Sequence, residues 1–206
     1  MLLEIHPKDP ESRKIKKVVE VLKKGGVIIY PTDTVYGIGC DIMSKSAVEK
    51  VCSIRRLDPE KAMLSIICSD MSQISDYTIQ MDNSLFRLLK QHLPGPYTFI
   101  LKANNDVPKL FKNRKKTIGI RIPDHPIVKA IVEELGHPIL TTSLKSDDEI
   151  LEYFTDPQDF ADEFEHQVDI IIDGGNCGNT PSTLIDCSKD EPELIRPGAG
   201  VWPKRG

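Results

Sequence analysis

From residue 15 to residue 196 the chain alternates segments of helical period with short β-branched runs, and Gly or Pro marks many of the changes. Ile15, Val18, Val19 and Leu22 follow i, i+3, i+4, i+7 spacing, with Asp9-Pro10 as a helix start and Gly25-Gly26 as a stop. The run 27–30 is β-branched, ends at Pro31 and reads as a buried strand. Helical spacing returns over 47–55 (Val48, Val51, Cys52, Arg55), and 63–68 reads as the next strand. Asp82 caps an amphipathic segment carrying Leu85, Leu88 and Leu89 that ends near Pro94-Gly95-Pro96. Strands are expected over 97–101 and 117–122, and Asp124 starts a helix with Ile127, Val128, Ile131, Val132 and Leu135, closed by Gly136. Four more strands are expected over 139–142, 168–172, 183–186 and 193–196. Mixing both periods along one chain requires helices packed on a sheet. The expectation is one α/β domain, 1–206 with a core of about 10–200, built on a mixed twisted sheet. Residues 145–167 read as a surface excursion off that sheet.

Composition removes several classes of function. The net charge is 27 − 31 = −4 over 206 residues, which excludes a chain that is basic throughout. The charge is uneven, however. Residues 86–121 hold Arg87, Lys90, Lys102, Lys109, Lys112, Arg114, Lys115, Lys116 and Arg121 against Asp106 alone, a local +8. Residues 146–173 hold eleven acids and no Lys or Arg. The 112–116 run is open to two readings, a solvated loop or a phosphate-binding patch that would draw RNA. No apolar run approaches the roughly 20 residues of a membrane span. Glu4 and Lys8 stand where a signal peptide needs apolar residues, so a cytoplasmic protein is expected. Cys40, Cys52, Cys68, Cys177 and Cys187 form no C-x-x-C, and the five histidines form no H-x-x-x-H. Neither a disulfide framework nor a helical metal site is expected.

The P-loop, the full dinucleotide fingerprint and the G-x-S-x-G elbow are all absent, since Gly37-Ile38-Gly39 lacks its third glycine. Hydroxyls and arginines at strand ends remain as candidates. Thr32-Asp33-Thr34 follows a buried strand and reads either as a polar turn or as a loop that binds a small polar ligand. Arg55-Arg56 would satisfy helix carbonyls, or else pair with phosphates or a carboxylate. Arg121, inside Ile118-Gly119-Ile120-Arg121-Ile122, is either on an exposed face or aimed into a cleft. Thr141-Thr142-Ser143 and Pro181-Ser182-Thr183 repeat the strand-end hydroxyls. As a set they describe a hydroxyl-lined, arginine-rimmed cleft for a phosphorylated or carboxylated ligand.

Pro31-Thr32-Asp33-Thr34-Val35-Tyr36-Gly37 resembles the P-T-[DE]-T-x-Y-G loop of the YrdC/YciO family. Pro94-Gly95-Pro96-x-Thr98, Gly119-x-Arg121-x-Pro123, Asp173-Gly174-Gly175, Pro181-Ser182-Thr183 and Arg196-Pro197-Gly198 follow in the family's order. The resemblance implies a mixed α/β sheet with a concave, positively charged cleft. It implies synthesis of threonylcarbamoyl-AMP from L-threonine, bicarbonate and ATP, with Mg²⁺ carried by ATP rather than by a protein cage. A partner transferase would then modify tRNAs that read ANN codons. Members are also associated with double-stranded RNA. By position, Thr34 would contact threonine, with Thr32 and Tyr36 of the same loop among the binding residues. Arg55 would meet ATP, Arg121 the substrate carboxylate and Arg196 the phosphates. Ser143 and Ser182 would line the pockets. Lys61 would join Arg55 and Arg121 in positioning, and Lys112, Arg114, Lys115 and Lys116 would touch RNA.

Some positions depart from the synthase pattern. Ser53-Ile54-Arg55 stands for K-x-R, Lys61 is one residue out of the K-P-L register, and Ser143-Leu144-Lys145 stands for S-x-N. These departures resemble the YciO branch, and the alternative they carry is an RNA- or tRNA-binding protein with weak or lost synthase activity. Because the chain stops at Gly206, the extra C-terminal domain of longer members is not expected.

Overall fold

A computed structural model describes residues 1–58, 64–107, 116–145 and 153–203. Ten strands among them form one mixed sheet: β1 (Leu2–Glu4), β2 (Val27–Tyr30), β3 (Gly37–Asp41), β4 (Ser65–Ile67), β5 (Tyr97–Lys102), β6 (Thr117–Arg121), β7 (Ile139–Ser143), β8 (Ile170–Asp173), β9 (Thr183–Asp186) and β10 (Glu193–Arg196). Their order is β1-β8-β2-β3-β7-β4-β6-β5-β9-β10. Parallel pairing joins β1 and β2 to β8, β4 to β6, and β5 to β9, while the other neighbours are antiparallel.

The helices are α1 (Ser12–Lys23), α2 (Lys45–Ile54), α3 (Met71–Tyr77), α4 (Asn83–His92), α5 (Pro126–Leu135) and α6 (Ala161–Phe164). Two apolar layers sandwich the sheet. On one face α1 and α5 bury Ile15, Val18, Leu22, Ile127 and Ile131 against Ile28, Tyr30, Ile67, Ile139, Ile170 and Ile172. On the other, Val48, Val51 and Cys52 of α2, Ile74 of α3 and Leu89 of α4 pack on Ile29, Ile38, Ile66, Phe99, Ile118, Ile120 and Leu140. Successive strand residues face opposite ways, which assigns each side chain to one layer.

Several helix ends follow their residues. The Asp82 carboxylate accepts the Leu85 N–H at 2.8 Å and caps α4. Gly136, at φ +85°, closes α5 in the left-handed region that a side chain would disfavour. Two starts differ from expectation. α1 begins at Ser12 after Glu11, because the Asp9 N–H turns back to His6 Nδ1 rather than opening the helix. α5 begins at Pro126 with His125 as its cap, one residue past the expected Asp124 cap, since the proline ring supplies the helical φ at the first position.

Four of these elements fall outside the sequence reading: β1, α3, β3 and α6. Gly37 and Gly39 make β3 look like a loop, yet the strand needs its glycines. A Cβ on Gly39 would run into the Leu140 carbonyl oxygen of β7. The 145–167 stretch is not a surface excursion throughout. Tyr153, Phe160 and Phe164 are buried, with the Phe160 ring edge-on to Tyr36 at 5.1 Å, so the acids cover the outside of an aromatic cluster.

Candidate active site

The layer of α1 and α5 does not extend across the whole sheet. Ile67 and Ile139 lie beneath it, and the residues two positions along the same face are Ser65 and Thr141. In the strand register Ile67 pairs with Arg121, Ser65 with Gly119 and Leu184 with Arg196. That face is therefore polar where it is uncovered. It forms a cavity of about 260 Å³ whose lining includes Thr98, Arg121, Ser143, Ser182 and Arg196. Gly119 keeps it open, since a Cβ there would run into Ser65 Oγ on β4.

Among the described residues Arg121 is the one fully buried cation, only 6% exposed. Its Nη2 donates to Asp33 Oδ1 at 3.0 Å and to Thr34 Oγ1 at 3.1 Å. Burial lowers the pKa of this guanidinium, and the neighbouring Asp33 carboxylate opposes that shift. Asp33 Oδ2 accepts the Asp124 N–H at 3.1 Å. The hydroxyls beside it have fixed directions. Thr32 Oγ1 donates to the Val35 carbonyl at 2.7 Å, so its 3.1 Å contact with Thr34 uses the Thr34 proton. Thr34 Oγ1 is left with lone pairs only.

Across the cavity, Arg196 Nη2 donates to the Ser182 carbonyl at 2.9 Å, and the Ser182 hydroxyl lies 2.7 Å from Thr98 Oγ1. Tyr30 donates to Thr141 Oγ1 at 2.6 Å, and burial pushes its phenol pKa up. Among the described residues, Nε of Arg121 and Nε of Arg196 are buried without a hydrogen-bond partner. A buried N–H without an acceptor is costly, and these two stand beside a cavity where water or ligand oxygens can serve as acceptors.

Arg121, Ser143, Ser182 and Arg196 thus come together around one cavity, with Thr34 bonded to Arg121 and Thr32 to Thr34. Tyr36 does not join them. Its hydroxyl donates to the Gly175 carbonyl at 2.7 Å and its ring belongs to the apolar layer, because strand alternation turns it to the opposite face. Arg55 sits at the end of α2, with Nη1 donating to the Lys145 carbonyl at 3.3 Å, and is not part of the cavity lining. Lys145 holds its ammonium 5.5 Å from the centre of the Tyr153 ring. Lys61, Lys112, Arg114 and Lys115 lie outside the described residues, and Lys116 is exposed ahead of β6. The sequence reading missed Asp33 as the partner of Arg121, and it missed Ser65. Asp33 was legible inside the P-T-D-T motif, whereas Ser65 carries no signal without the β4–β6 register. No group of three or more His, Cys, Asp or Glu able to hold a metal is found among the described residues. No helix there is long and apolar enough to cross a membrane.

The Sua5/YciO/YrdC family, described as telomere recombination, matches residues 20–198. The chain is 46% identical over 198 residues to a protein named YciO in Escherichia coli (strain K12), covering 95% of this chain and 94% of that one. The crystal structure of E. coli YciO superposes with a TM-score of 0.92 over 98% of this chain and 97% of that chain. A putative threonylcarbamoyl-AMP synthase of Methanocaldococcus jannaschii is 36% identical over 202 residues, 96% of this chain and 92% of its own. Sua5 of P. abyssi, in complex with L-threonine, matches at 26% identity and a TM-score of 0.87 over 96% of this chain and 57% of that one. The chain belongs to the Sua5/YciO/YrdC family.

Proposed function

We propose that this chain binds L-threonine and ATP at the Arg121–Arg196 cavity and, with bicarbonate, forms threonylcarbamoyl-AMP for tRNA modification by a partner transferase. The observation that carries the reading is the pair of buried arginine Nε–H groups without acceptors on one polar sheet face. One carboxylate and one phosphate would satisfy both. A complex of L-threonine with the relative Sua5 supports the amino-acid half. At about 260 Å³ the cavity is smaller than the roughly 300–1,000 Å³ typical of drug-sized ligands, so it takes the reacting ends and leaves the nucleoside outside.

No side-chain nucleophile is needed. Bicarbonate gives carbon dioxide and hydroxide, the threonine amine attacks the carbon of the carbon dioxide, and the proton it loses joins the hydroxide as water, leaving a carbamate. A carbamate oxygen then attacks the α-phosphorus of ATP, the bond to the bridging oxygen breaks, and diphosphate leaves. Arg121 orients the carboxylate, and Arg196 neutralises charge on the phosphates together with the Mg²⁺ that ATP brings. This chemistry fits a cytoplasmic protein, where ATP and tRNA are present. The test is incubation with ATP, L-threonine and bicarbonate, followed by threonine-dependent diphosphate release. Absence of both release and measurable ATP binding overturns the reading.

A further inference from the structure

Both Nη2 hydrogens of Arg121 are committed, one to Asp33 Oδ1 and one to Thr34 Oγ1. A flexible stem of three methylenes ending in a fork of five donors is thereby held at one corner. The holding group is itself fixed. Asp33 is about as buried as its partner, the side chains being 10% and 7% exposed, and its second oxygen accepts the Asp124 N–H ahead of α5. One carboxylate therefore joins the loop after β2, the end of β6 and the entry to α5. What remains on Arg121 is Nη1 and the unpartnered Nε–H.

We propose that Asp33 is a positioning residue: by holding Nη2 it sets the Arg121 guanidinium so that the adjacent Nε–H is the donor offered to a ligand carboxylate. Asp33 need not touch the ligand. The proposal rests on the reading above only in naming that ligand as L-threonine.

Asp33→Asn is the sharpest perturbation. An amide carries a single oxygen, so it can accept from Arg121 or from Asp124 but must turn its own N–H₂ toward the other donor. The first measurement is the ¹⁵Nε–Hε NMR correlation of Arg121, assigned by its loss in Arg121→Lys. A buried, held guanidinium gives a signal in slow exchange with water. In folded Asp33→Asn the exchange should rise at least about tenfold. The second measurement is calorimetric affinity. L-threonine should weaken by about 100-fold, the scale of a misplaced orienting group. L-threoninol, which lacks the carboxylate, should bind both proteins equally, and general loss of structure would not spare it. Asp33→Glu keeps the carboxylate and should restore slow exchange and threonine affinity to within about tenfold. It also decides the matter if the Asn variant fails to fold. An unchanged Nε–H signal in folded Asp33→Asn, or a folded Glu variant whose Nε–H exchanges like free arginine, overturns the proposal. If wild type binds no threonine while the Asn variant still frees the Nε–H, the proposed function fails and the positioning stands.

Discussion

Phe160→Ala tests whether the acidic stretch is part of the core. Phe160 is fully buried, with ring contacts to Tyr36 at 5.1 Å, Phe154 at 5.2 Å and Phe164 at 6.2 Å. Truncating a buried Phe to Ala costs about 3–5 kcal/mol, part transfer and part residual cavity. The four-residue α6 packs beside it and can settle inward, which favours the lower half of that range. For a chain of this size each kcal/mol lowers Tm by about 2–4 °C, so the loss should be about 6–16 °C. Scanning calorimetry and urea unfolding measure it, with Glu163→Gln on the exposed side of α6 as a control expected within about 0.5 kcal/mol. A double-mutant cycle with Tyr36→Ala isolates the edge-on ring pair, worth about 0.5–1.5 kcal/mol. If Phe160→Ala costs less than about 1 kcal/mol, the stretch is peripheral after all and its aromatic packing carries no weight.

Smaller changes probe other contacts. Asp82→Ala removes the carboxylate that accepts the Leu85 N–H and should cost about 1 kcal/mol in urea unfolding; no change would mean that α4 starts without its cap. Tyr36→Phe deletes the bond to the Gly175 carbonyl and should cost about 1 kcal/mol, with fluorescence or calorimetry as the check. Burial alone would raise the Asp169 pKa, but the Val27 N–H and Lys50 outweigh it and the net direction is down. A depressed carboxylate stabilises the fold above its unfolded value and loses that contribution as pH falls through its folded one, so Asp169→Asn should flatten the acid limb of the stability curve. Burial pushes the Cys177 thiol up to about 11. At pH 8 its thiolate fraction is then about one in a thousand, and iodoacetamide should modify it roughly two orders of magnitude more slowly than a free thiol. Labelling as fast as a small-molecule thiol would refute that burial.

Element types were legible where one period runs unbroken. Ile15, Val18, Val19 and Leu22 mark the buried stripe of α1, and Ile127, Val128, Ile131, Val132 and Leu135 that of α5. β3 was hidden because Gly37 and Gly39 erase the side-chain alternation that identifies a strand, and their reason lies on neighbouring strands. Gly39 makes room for the Leu140 carbonyl, about a hundred residues away in sequence. The 153–164 segment was misread for a different cause. Its four acids stand among four aromatics, so charge pointed outward while Tyr153, Phe160 and Phe164 turned inward.

The candidate site shows where reading by pattern stops. Ile118-Gly119-Ile120-Arg121-Ile122 already separates two faces, because Ile118, Ile120 and Ile122 alternate with Gly119 and Arg121 and join the apolar layer. What the pattern leaves open is what covers the second face. The answer depends on where α5 ends over the sheet, on the pairing of Ser65 with Gly119, and on Asp33 arriving from the loop after β2. A one-residue slip of β6 against β5 would turn Arg121 toward Phe99 and put Ile120 in the cavity. Three isoleucines on the buried side oppose that slip. The register that fills the core is therefore the same one that delivers Arg121 to the Asp33 carboxylate, and the apolar half of the strand places the polar half.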